Sequence, residues 1–219
     1  MTDSYNAAFS ETRAANALAV ALDVRKFEID LYWKRASYFW VFTGAALAGH
    51  LVALTTPEKG LGPADYHRAQ AMLLTACVGL IFSFAWYLVN RASKFWQSNW
   101  EAHVDLLEDG VNGPLYKTVL SDGTPWWKIH GAYQFSVSKI NQMLSFYVFL
   151  VFALLVLDTT RSYYKFSCQW QLFPTACMLF TGLAVVLLVL LGRTSVGERR
   201  VSGLRRSTTI LNDTLDDDG

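Results

Sequence analysis

Four segments of near membrane-spanning length, 37–55, 70–89, 140–157 and 172–192, contain no Asp, Glu, Lys or Arg. A hydrocarbon core about 30 Å thick is crossed by about 20 helical residues rising 1.5 Å each. Four such runs in 219 residues exclude an ordinary water-soluble globule. Charged residues are 17% of the chain, against about 25% in soluble domains. The expected fold class is all-α: a polytopic membrane protein with four transmembrane helices and long cytoplasmic helical extensions. The longest polar stretch, 91–139, falls short of the roughly 60 residues that an unaided core needs, so a large catalytic domain outside the membrane is not expected.

The four runs differ in character. Segment 172–192 ends in an unbroken Val/Leu series, 185–191, and 140–157 is short but strongly apolar. Segment 37–55 is the least apolar, with Thr43, Gly44, Gly49 and His50, and its small residues predict burial against other helices rather than contact with lipid. Gly44 with Ala48, Ala45 with Gly49, and Gly79 with Ser83 are small pairs four residues apart. Such spacing lets helix backbones approach closely, within one chain or between copies. The basic residues near the span ends set the expected direction. Arg25, Lys26, Lys34, Arg35, Arg91, Lys94, Lys128, Lys139, Arg193, Arg199, Arg200, Arg205 and Arg206 fall on one side, and Lys59, Arg68, Arg161 and Lys165 on the other. The excess puts both termini and 91–139 in the cytoplasm, in an inner (plasma) membrane, with the first span as its own membrane signal. Trp33, Tyr38, Trp40, Trp86 and Tyr87 are expected at the inner interface, and Tyr163, Tyr164 and Trp170 at the outer one.

Outside the spans the pattern is helical. Residues 8–36 contain no Gly or Pro and read as a helix entering the first span, with apolar residues on two faces. The second span continues through Glu108, with Gly110 as the expected C-cap. The two extensions are expected to pair as a stalk. Trp96, Trp100, His103 and Leu107 share one face of the second extension, the candidate docking surface for a soluble partner. Glu101, Asp105 and Glu108 share another, read as a solvated acidic face. Segment 128–139 is expected to be a helix leading into the third span. In the tail, Arg193, Arg199, Arg200, Arg205 and Arg206 suit anionic headgroups at a membrane surface, and the acidic end, 213–218, is expected to lack order. The domain reading is 1–36, 37–89, 90–139, 140–192 and 193–219.

Chemistry is hard to find. Glu101 and His103 point about 200° apart around a helix, so the richest cluster of candidate ligands does not converge on a metal. No phosphate loop, nucleophile elbow, Cys pair motif or dinucleotide fingerprint is present. Cys77, Cys168 and Cys177 are scattered and read as small buried hydrophobes. No enzyme, catalytic residue, cofactor or metal is expected.

The stretches 30–40 (DLYWKRASYFW) and 96–103 (WQSNWEAH) resemble a bacterial family of four-span inner-membrane proteins, over roughly residues 25–160. The order helix, two spans, helix in 8–108 is similar to the SLATT class of membrane effector modules in bacterial conflict systems. These resemblances imply a membrane lineage, with an effector role for the architecture. The expected function is a non-enzymatic oligomeric sensor or pore-type effector with a cytoplasmic helical stalk, the alternative being an anchor that docks a soluble cytoplasmic protein. Expected partners are the bilayer, further copies of the chain and that soluble protein; nothing points to nucleic acid.

Overall fold

The computed structural model describes residues 9, 11–57, 63–118, 127, 128, 130, 135–166 and 172–193, without the side chains of 11, 63–65 and 163–166. The fold is all-helical: α1 (Glu11–Thr55), α2 (Pro63–Leu107), α3 (Val137–Phe166) and α4 (Leu172–Leu191), with a 3-10 turn at Glu108–Gly110. Each of the four is long and apolar enough to cross a membrane. Pro63 opens α2 and Pro174 sits in the first turn of α4, where a missing N–H costs nothing. α3 runs well beyond 157 because no Gly or Pro follows the polar residues 158–161.

The chain forms two compact units, described in turn. Among the described residues, the first comprises 32–57, 63–92, 137–166 and 172–193. Its buried positions recur at alternating steps of three and four. On α1 these are Tyr32, Ala36, Thr43, Ala46 and His50; on α2, Ala76, Gly79, Ser83, Trp86 and Asn90; on α3, Asn141, Ser145, Phe152 and Thr159. Pro174 and Thr181 continue the rule on α4. A seven-residue repeat keeps one stripe facing its partner along a left-handed helix pair. α2 is the central helix. It meets α1 through Trp40–Trp86 and Phe42–Phe82, α3 through Phe84–Phe149 and Tyr87–Phe146, and α4 through the Leu73, Ala76, Cys77, Val156 cluster that Cys177 joins. Arg68 caps α1 from α2: Nε donates to Ala53 O (2.9 Å) and Nη2 to Leu54 O (2.7 Å). Two of the carbonyls that a helix C-terminus leaves without intrahelical donors are thereby satisfied.

Inside one copy the burial expected for 37–55 is not met: less of the apolar stretch of α1 is buried than of α2. The α1 stripe uses Thr43, Ala46 and His50, which turns Gly44, Ala45 and Ala48 outward. Trp86 is corrected too. It is buried rather than in an interfacial belt, because it lies on the α2 stripe between Ser83 and Asn90.

Among the described residues, the second unit comprises 9, 11–31, 93–118, 127, 128, 130, 135 and 136. Leu18 and Ala21 of α1 pack with Val104 and Leu107 of α2, joined by Leu22, Trp100 and Tyr116. The two extensions thus pair, as expected. Gly110 is not the left-handed cap. It ends the 3-10 turn, where Val111 and Asn112 N–H both donate to Glu108 O, and the positive φ falls at Gly113. The helix expected over 128–139 begins only at Val137, preceded by Ser136, a residue type favoured at N-caps. Cys168, Trp170, Arg199, Arg200, Arg205, Arg206 and the acidic end lie outside the described residues.

Candidate functional site

Two clusters of buried polar side chains stand out, one in each unit. In the unit holding the spans, three helices contribute to an uncharged knot. Asn141 Nδ2 donates to Tyr32 Oη at 2.6 Å and to Asn90 Oδ1 at 3.2 Å. Asn90 Nδ2 donates to Ser145 Oγ at 3.1 Å and to Asn141 O at 3.4 Å, and Gln142 Nε2 reaches Asn90 O at 3.4 Å. Asn90 is 1% exposed and Tyr32, Asn141 and Ser145 are buried beside it. Buried amides are tolerated where their donors and acceptors are used, and each interhelical bond then fixes a register. The knot contains no nucleophile paired with a base. Its chemistry is structural, locking α1, α2 and α3 at one level.

Nothing in the span boundaries singled out Asn90 or Asn141. The signal was there in the spacing: Ser83, Asn90 and Gln97 lie seven apart and all are buried. Extending the buried stripe of the second span past residue 89 would have found Asn90.

In the other unit, the acidic face expected in solvent is turned inward. Glu108 is 2% exposed and Asp105 is buried, while Glu101 is half-buried. The physical reason is a supply of donors. The Glu108 carboxylate accepts Tyr116 N–H at 2.6 Å and Lys117 N–H at 3.0 Å, folding 111–118 back on the helix end. Arg25 of α1 approaches Glu101 at 4.0 Å and stacks over the Tyr116 ring, 4.9 Å from its centroid. Lys94 reaches Glu101 at 3.5 Å. Asp105 Oδ1 is buried without a hydrogen-bond partner. Among the described residues no three of His, Cys, Asp and Glu are placed to hold an ion.

The proposed docking face divides. Leu107 is buried in the chain's own core, and Trp100 is partly buried against that core. His103 is half-buried with its ring 5.4 Å from that of Trp100, and Trp96 is exposed. Burial pushes the His103 imidazole below its ordinary value of 6.5. The fold therefore favours the neutral ring. That contribution is complete above about pH 6.5 and is lost as pH falls through the lowered folded-state value. The thermal midpoint should fall between pH 7 and pH 5 by more in the native chain than in His103→Leu; equal falls would acquit His103.

The small residues also divide. A methyl group at Gly79 would run into the Phe152 ring, and Ser83 is fully buried one turn on. At Gly49 an added Cβ would lie 3.3 Å from Thr75 Cγ2. At Gly44 it would meet nothing within 4 Å. His50 is buried, with Nδ1 3.1 Å from Met72 O and 3.4 Å from Thr75 Oγ1. Cys77 and Cys177 are free thiols, and Arg193 is exposed.

The model of the octameric membrane protein family matches residues 15–161. No curated protein and no solved structure matches the chain. The match covers about two thirds of the sequence and takes in both polar clusters, all of α2 and most of α1 and α3. The chain therefore belongs to the octameric membrane protein family, as a multi-pass, oligomeric integral membrane protein.

Proposed function

We propose that this chain is a non-enzymatic octamer of the inner membrane, with both termini in the cytoplasm, that acts as a sensor or pore-type effector. The observation that carries the reading is the continuity of α1 and α2. Each runs 45 residues without interruption, and each contributes to both compact units. No Gly or Pro, the usual sites of sharp kinks, lies at either crossover, and this continuity is what supports a signalling role for the two helices. The excess of Lys and Arg beside one set of span ends supports the direction. The absence of enzymatic chemistry is supported by the use made of the best carboxylate: both oxygens of Glu108 accept backbone N–H groups.

Native mass spectrometry of the chain extracted in mild detergent, followed by ion and dye flux from reconstituted liposomes, tests the reading. An octameric mass with flux is the result expected of a pore. An octameric mass without flux leaves the sensor, and a monomeric mass defeats both. A scaffold for a soluble cytoplasmic protein is the second reading, carried by the exposure of Phe95 and Trp96.

A further inference from the structure

Val20 and Phe27 of α1 are each 59% exposed, with Val24 half-buried between them. They lie on the side of the helix away from Leu18, Ala21 and Arg25, which pack on α2 and Tyr116. Asp23 and Asp30 flank Phe27, four residues before it and three after, so the three share one face. With Val24 and Lys26 they line a shallow groove. Two carboxylates against one ammonium leave that groove acidic. Asp23 makes no ion pair among the described residues.

An exposed ring between two carboxylates suits an arginine, whose flat guanidinium stacks on the aromatic face while its N–H fork meets a carboxylate. The same unit already uses this arrangement on the other side of α1: Arg25 lies 4.9 Å from the centroid of the Tyr116 ring, with Glu101 at 4.0 Å. Arginine is plentiful where the chain leaves α4. Residues 193–206 hold Arg193, Arg199, Arg200, Arg205 and Arg206 against Glu198 alone. The last four form two pairs with Val201 and Leu204 between them. Base, apolar, base on the tail matches acid, apolar, acid on the groove. Reach is sufficient. Four crossings return the chain to the side from which α1 enters the membrane. The stretch 193–198, when extended, covers about 20 Å. Along α1, Asp30 and Asp23 precede the start of the first span at Ser37 by about 10 and 21 Å at 1.5 Å per residue.

We propose that residues 199–206 seat in the Phe27 groove of the same copy, with their arginines against Asp23 and Asp30 and with Val201 and Leu204 on Val20, Val24 and Phe27. Seated there, the tail ties the end of α4 to α1 and covers apolar surface that the rest of the described unit leaves open. The same guanidinium groups are the ones that suit anionic headgroups, so a tail in the groove is a tail off the membrane surface. Neither the copy number nor conduction enters the inference, and its failure leaves the reading above untouched.

The photoreactive substitution Phe27→p-benzoylphenylalanine, which keeps an aromatic ring at the site, is introduced into the full chain. Light and 15N-labelled protein are mixed, placed in nanodiscs of phosphatidylethanolamine and phosphatidylglycerol, irradiated and digested after acidic residues. The expected result is a crosslink between residue 27 and a peptide containing 199–206, within light chains and within heavy chains. Crosslinking to lipid alone assigns the arginines to the headgroups and overturns the seat. A light–heavy crosslink, or one to another segment, puts a neighbouring copy or a different part of the chain in the groove and overturns it too. Charge reversal supplies a second measurement. Changing Arg199, Arg200, Arg205 and Arg206 together to Glu should lower the crosslink yield at least about threefold, the modest size expected of exposed ion pairs. Adding Asp23→Lys and Asp30→Lys to that variant should restore it. A yield that ignores the first reversal, or that the second does not recover, defeats the charge match.

Discussion

Gly79→Ala should unfold at markedly lower denaturant than the native chain, a loss of about 1–3 kcal/mol from overpacking, and Gly79→Leu should not accumulate as folded protein. The added Cβ overlaps the ring of Phe152, which is itself fully buried. Phe152→Leu removes part of the obstructing ring. Combined with Gly79→Ala it should cost less than the two single changes added together, by about 1 kcal/mol or more if the sites are in contact. Gly44→Ala is the matched control. Its Cβ meets no neighbour in the chain, and alanine is the better helix former by up to about 1 kcal/mol. Titration with sodium dodecyl sulfate in mixed micelles, read by far-ultraviolet circular dichroism, measures all four. Equal midpoints for Gly79→Ala and Gly44→Ala would contradict the α2–α3 packing.

Asn141→Leu is the second large effect. The substitution keeps the branched shape and removes a side chain that donates to Tyr32 and Asn90 at once. Interhelical hydrogen bonds in membranes average only about 0.6 kcal/mol, because the separated helices find other partners. Leaving a buried polar group without a partner costs about 1–3 kcal/mol more decisively. With two bonds lost and the Asn90 amide half-satisfied, about 2 kcal/mol is expected from the same titration. The pair Asn90→Leu and Asn141→Leu together should cost less than the sum, since the second change removes a group already orphaned by the first. Additive costs would mean that the two amides do not bond to each other.

The helices were legible because burial in lipid demands long, charge-free, internally hydrogen-bonded runs, and 37–55, 70–89, 140–157 and 172–192 all fall on helices, the last ending at Leu191. Continuity of α1 and α2 was legible for the same local reason: no Gly or Pro interrupts 11–43 or 80–107. The acidic face was misread, and the docking face divided, where a choice between two sides of one helix was needed. Trp100 and Leu107 look like a surface for a partner until Leu18 and Ala21 cover them. Glu108 looks solvated until the turn at 111–118 brings two N–H groups to it. Local periodicity names the residues that share a face. It does not say which face another element will cover.

The sequence alone therefore determined the solvent, the number and length of the helices, and the charge difference between the ends of the spans, since each follows from transfer energies and helix rise summed along the chain. Tertiary structure decided that α2 rather than α1 is the central helix, that within one copy Gly79 and not Gly44 is the close contact, and that Asn90 and Asn141 tie three helices together. Those outcomes depend on which side chains from distant segments reach the same point, and packing geometry in three dimensions, not composition along one, sets that.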